Sequence, residues 1–161
     1  ISTIQKELTQ YFGETIVLGE PFSVQDFTHY YDQEMGREII KYFYYIPALM
    51  ALEGAEQWKI WSDSREKAFS ESFGSPRPVN IDPGYLTLSK LVLFSSKSYS
   101  HRIYIRDRIY AEVTLQYMHK EFRPLPWTYK DYQTPAALRF WKQARTELDR
   151  LFRHESAVQP N

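Results

Sequence analysis

The sequence has no cysteine, which excludes disulfides, thiolate catalysis and cysteine-ligated metals and fits the expected location, a reducing cytoplasm. It has no excess of either charge. Twenty Lys and Arg face 20 Asp and Glu, so the total calls for neither an extended nucleic-acid backbone nor an anionic membrane as partner. No run of about 18 apolar residues could span a bilayer, and no signal peptide is visible. The six glycines stand far apart, so neither a phosphate-cradling Gly-x-x-x-x-Gly-Lys-Ser/Thr loop nor a dinucleotide fingerprint is present. His29, His101, His119 and His154 lack the short spacing of zinc helices, and there is no zincin motif or nucleophile elbow.

What the chain has is apolar and aromatic mass. At 161 residues, 43% hydrophobic and 17% aromatic, it has the material for one folded domain over residues 1–161. Ile1, Ile4, Leu8 and Tyr11/Phe12 recur at helical spacing, and Gly13 suits the stop. "TIVLGEPFSVQDF" reads as an extended segment broken at Gly19 and Pro21, and "REIIKYFYYI", about Arg37 to Ile46, as a second strand. A second helix is predicted over about Ala55 to Phe73 and ends at Gly74. "LTLSKLVLFSS" reads equally as strand or buried helix. Thr134 and Pro135 open a third helix, and 154–161 reads as a frayed tail. These elements predict an α+β fold, an antiparallel or mixed sheet of four to six strands with helices packed on one face. A ferredoxin-like arrangement is one option, and a sheet split into two layers is another.

"SHRIYIRDRIYAEVTLQY" reads as a hairpin. A three-residue loop, Arg106-Asp107-Arg108, sets Ile105 opposite Ile109, Ile103 opposite Ala111 and His101 opposite Val113, an apolar face expected to meet the helices. Arg102, Tyr104, Tyr110, Glu112 and Thr114 then form a polar row, with Arg102 facing Glu112. That row is expected to wall a semi-enclosed site with Lys97, Asp82 and the loop "PLPWTYKDY", which projects Trp127, Tyr129, Asp131 and Tyr132 and reads either as a clamp covering a sheet edge or as an aromatic lid. On the apolar face, His101 is expected as a core histidine.

"FTHYYDQEMG", "VNIDPGYLTLSKLVL", the hairpin and "PLPWTYKDY", in that order, resemble the prokaryotic family catalogued as domain of unknown function 4416. The resemblance implies no settled activity, although some relatives carry a loose GTP-binding label. It also implies an apolar strand ahead of the first helix, missing before Ile1, and often glycine in the hairpin loop where Arg106 and Arg108 stand here.

Three classes of function follow. The first is a binding module for a small anionic or nucleotide-like ligand, bound by Lys97, Arg102, Tyr104, Glu112 and Thr114 with Trp127 or Tyr129 stacking on it as a lid. The second is an enzyme using Asp82 and Glu112 as catalytic candidates for acid–base or Mg²⁺-assisted phosphate chemistry. The third is a protein-interaction domain using its aromatic loops. "DFTHYYDQEMG" adds Asp26, His29, Tyr30, Tyr31, Asp32, Glu34 and Glu38, a pattern that more often caps backbone than binds metal.

Overall fold

The computed structural model describes residues 2–13, 16–30, 32–36 and 38–158. Ile1 of the first helix, Thr15 and Arg37 of the two expected strands, Tyr31 of the acidic turn and the last three residues of the tail lie outside the described residues.

The amphipathic segment at the start forms α1 (Ser2–Phe12), which stops at Gly13 in the left-handed conformation. Gly19 and Pro21 break the next extended segment into β1 (Val17–Leu18) and β2 (Phe22–Ser23). A 3₁₀ turn at Val24–Asp26 and the short α2 (Asp32–Met35) follow. The expected second strand is likewise two pieces, β3 (Ile40–Lys41) and β4 (Tyr44–Tyr45). β1 pairs antiparallel with β4 and β2 with β3, giving two separate two-residue ladders.

Then comes α3 (Gln57–Phe73), closed by left-handed Gly74. The ambiguous apolar run is strand: β5 (Gly84–Leu86) and β6 (Lys90–Ser95). β7 (Ile103–Arg106), β8 (Ile109–Met118) and β9 (Glu121–Pro124) complete a five-stranded sheet in the order β5-β6-β8-β7, with β9 on the far half of β8. α4 (Pro135–Val158) ends the description, so residues 154–158, expected to fray, continue a helix. The fold is α+β, and no helix among the described residues is long and apolar enough to cross a membrane.

Two expectations about the sheet are corrected. All its pairings are antiparallel, whereas a ferredoxin-like sheet contains a parallel pair from its crossovers, so that option is not adopted. The helices do not share one face. Leu91 and Leu93 of β6 pack with Trp141 and Ala144 of α4, while Phe94, of opposite parity, packs with Trp58 of α3. The apolar run "LVLF" is buried on both sides for that reason.

The hairpin differs from expectation at its tip. Asp107 and Arg108 both have positive φ, 47° and 63°, and form a two-residue turn, with Arg106 opposite Ile109. An irregularity between Tyr104 and Arg106 takes up the extra residue, so Tyr104 still faces Tyr110 and Ile103 still faces Ala111. The expected burial also fails in part. Ile109 and Ala111 meet α3 through Trp58, but β7 lies beyond the helices and Ile103 is 72% exposed.

Candidate functional site

Across the main sheet, Gly84, Leu93 and Glu112 lie side by side on β5, β6 and β8. Leu93 packs with α4, so the Glu112 side chain approaches the same face. Ser95, two residues from Leu93 along β6, continues the face at the sheet's end, and Asp82 lies in the segment that enters β5. A polar patch on β6 and β8 thus faces the C-terminal helix.

Glu112 is its centre, with 2% of its side chain exposed. Its Oε2 accepts from Arg102 Nε at 2.6 Å and is 3.0 Å from His101 Nε2. Its Oε1 is buried without a hydrogen-bond partner. Arg102 also donates from Nη1 to Ser95 Oγ at 2.7 Å and the Lys97 carbonyl at 3.0 Å, and from Nη2 to Tyr129 Oη at 3.2 Å. The Tyr99 ring lies 4.9 Å from the guanidinium carbon. Four of the guanidinium's roughly five N–H groups are therefore committed. Desolvation pulls Arg102 down, but the hydrogen bond and charge of Glu112, with Tyr129, hold it above its ordinary value. Arg102 builds the wall of the site and has little left for a ligand.

His101 is not in the apolar core. Its ring stacks on Trp127, with centroids 5.2 Å apart and planes 10° apart, and on Tyr99 at 6.0 Å. β7 begins only at Ile103, so His101 lies in the turn before it, outside the ladder, and its ring reaches the carboxylate. Trp127 is fixed by donating Nε1 to the Val113 carbonyl at 2.8 Å, and Thr128 Oγ1 donates to the Thr114 carbonyl. Of the two readings of "PLPWTY", clamp or lid, these bonds fit the clamp, with Trp127 held on β8.

Beyond Tyr129 lies Tyr132, fully enclosed by α4 and Phe43. Burial first, then the charges of Asp82, Asp131 and Glu112, push its hydroxyl well above the ordinary range, so it stays protonated. Asp131 is neutralised by Lys41 at 2.5 Å, and the lysine also sits 4.6 Å from the Tyr132 ring centroid. Asp82 accepts from Asn80 at 2.7 Å and lies 3.9 Å from the buried ammonium of Lys59, which pairs with Asp63 at 2.9 Å and approaches Glu66 at 3.9 Å. Burial raises Glu66 above its ordinary value, against the pull of the Ile81 N–H and Lys59.

A groove of about 1460 Å³ runs through the molecule and is lined by Asp82, Lys97, Arg102, Glu112, Trp127 and Tyr129. Tyr104 and Thr114, expected at the same wall, do not line it: Tyr104 is exposed on β7, and Thr114 is wholly buried with an unpartnered hydroxyl. Lys97 is exposed at the rim and its ammonium enters no ion pair among the described residues. The acidic turn is spent structurally, with Asp32 accepting from Gln25 at 3.0 Å and Glu34 pairing with Arg77 at 2.9 Å. No three His, Asp or Glu side chains converge as metal ligands among the described residues.

The sequence reading missed Lys41 and Lys59 as parts of this site, and took Tyr132 only as a side chain projecting from the aromatic loop. A lysine inside an aromatic strand and Lys59, Asp63 and Glu66 at i, i+4 and i+7 of one helix were the available signals.

Fold and site together define an α+β domain whose antiparallel sheet walls a groove at the buried Glu112. The chain belongs to the family described as Domain of unknown function (DUF4416), whose profile matches residues 1–148. No curated protein and no solved structure matches it.

Proposed function

We propose that this domain is a binding module for a small nucleotide-like ligand held in the groove. One observation carries the proposal: the Glu112 carboxylate lines the groove, is buried, and has one oxygen with no partner. A buried charged acceptor left unsatisfied is costly, and a ligand that supplies the missing donor recovers that cost. The aromatic rings of Phe43, Tyr129 and Tyr132 give a planar ligand surfaces to pack on, and Lys97 at the rim suits an anionic tail.

Enzymatic use of Asp82 and Glu112, with or without Mg²⁺, has less support. Both carboxylates already face a cation, Lys59 or Arg102, which a metal or a proton in transit would have to displace. The protein-interaction class rests on a different feature, the exposed Tyr99, Ile103, Tyr104 and Ile105 along the sheet edge at β7.

A thermal-shift screen of nucleoside mono-, di- and triphosphates, with and without Mg²⁺, separates these classes. A melting temperature that climbs with nucleotide concentration is expected from linkage. Dependence of that rise on Mg²⁺ would favour the enzyme, and no rise across the panel would favour the interaction domain.

A further inference from the structure

We infer that the inner end of the groove takes a hydrogen-bond donor, a planar N–H group of the amidine or amino-heterocycle type, and that any anionic part of the ligand stays outside at the rim. This rests on the ligand-binding role proposed above and fixes which end of the ligand enters.

An ionised carboxylate accepts hydrogen bonds and donates none. Glu112 Oε2 already faces both Arg102 and His101, so the vacancy at Oε1 can be filled only by a donor. An anion placed there would meet the Glu112 carboxylate directly, with Asp82 and Asp131 acting on the neighbouring Tyr132. The cations near that end are committed: Arg102 to Glu112, Lys41 to Asp131, and Lys59 to Asp63 with Asp82 beside it. The rim differs, because Lys97 carries an unpaired ammonium among the described residues.

A second unpartnered group lies on the same side of the sheet. Trp141 Nε1 is a buried donor with no acceptor, it lines the groove, and its ring belongs to the cluster containing Leu93, the cross-strand neighbour of Glu112. A head group with an acceptor as well as a donor would serve both. Amino-heterocycles and amides carry that combination without a negative charge, whereas phosphates and simple carboxylates bring an anion against the Glu112 carboxylate.

Benzamidine and benzoate provide the test, since they share size and planarity but have opposite hydrogen-bonding chemistry. Each is titrated into the full chain by protein-observed NMR, with inorganic phosphate as a third probe, and the readouts are the indole N–H signals of two groove-lining residues, Trp127, stacked on His101, and Trp141. Benzamidine is expected to move both signals and to bind at least about tenfold tighter than benzoate, and Glu112→Gln to weaken it by about tenfold or more. The comparison of probes on the unaltered protein needs no variant to fold. Benzoate or phosphate binding at the inner end as well as benzamidine, or benzamidine binding that ignores Glu112→Gln, overturns the inference. If nucleotides stabilise the protein while benzamidine leaves both indoles unmoved, the donor placement is wrong and the ligand site stands. If neither nucleotides nor fragments bind, the ligand site falls with it.

Discussion

The Arg102–Glu112 pair is buried, and that decides how its residues respond to substitution. Arg102 and Glu112 have 5% and 2% of their side chains exposed, so removing one partner strands the other in a poorly solvated place. Arg102→Met should cost about 3–5 kcal/mol in urea unfolding, and the double variant Arg102→Met/Glu112→Leu should recover much of it. A loss below about 1 kcal/mol for the single variant would mean that the pair behaves as a surface ion pair. Glu66 gives a pH dependence. Its folded carboxyl is held above the ordinary 4.5, so between that value and the raised one the folded state binds more protons than the unfolded chain. Stability from this group is present below 4.5 and is lost as pH rises through the raised value. Melting temperatures across that window should decline less steeply in Glu66→Gln, whose side-chain oxygen can still accept from the Ile81 N–H; parallel profiles would remove the effect.

The elements show what a sequence can and cannot convey about this site. Alternation along "RIYIRDRIYAEVT" correctly grouped Tyr104 with Tyr110 and Ile103 with Ala111, because parity alone decides which side chains share a face. Parity does not say which face a helix covers or how far the helix reaches, so the exposure of Ile103 and Ile105 was not legible. Nor was the turn, since Asp107-Arg108 lacks the glycine that signals a two-residue hairpin loop. The β8–β9 turn repeats the pattern at His119 and Lys120, with φ of 51° and 65°. Both turns place bulky L-residues in left-handed conformations, so Arg108→Gly and Lys120→Gly should each stabilise the protein by about 0.5–1 kcal/mol in chemical denaturation. Gly84 is the opposite case. A Cβ there would overlap the Val92 carbonyl oxygen and lie 2.9 Å from Leu93 Cδ2, so Gly84→Ala should cost about 1–3 kcal/mol and loosen β5 beside the site.

Across the whole molecule, stability should be unevenly distributed. The five-stranded sheet is buried on both faces of β6 and anchored to α4, where Arg145 donates to the Leu88 carbonyl at 2.8 Å and lies over Tyr117. The N-terminal half is joined by two ladders of two residues each, and it lines much of the groove through Ile39 to Leu49. A wall with few backbone hydrogen bonds beside a groove is the part of a fold that opens most easily. Amides of the small ladders and of the residues flanking them, Gly19, bonded to the Phe43 carbonyl at 2.8 Å, and Val24, bonded to that of Ile39 at 2.9 Å, should exchange with solvent well before those of β6 and β8. A ligand seated against Glu112 would contact Tyr132 and Phe43 on its way in, so binding should slow exchange in the small ladders more than in the sheet. Hydrogen exchange followed by mass spectrometry, with and without a nucleotide shown to raise the melting temperature, reads both effects. Equal protection of ladders and sheet in the free protein would place the groove inside one cooperative unit, and ligand entry would then require either a preformed mouth at Lys97 or global opening.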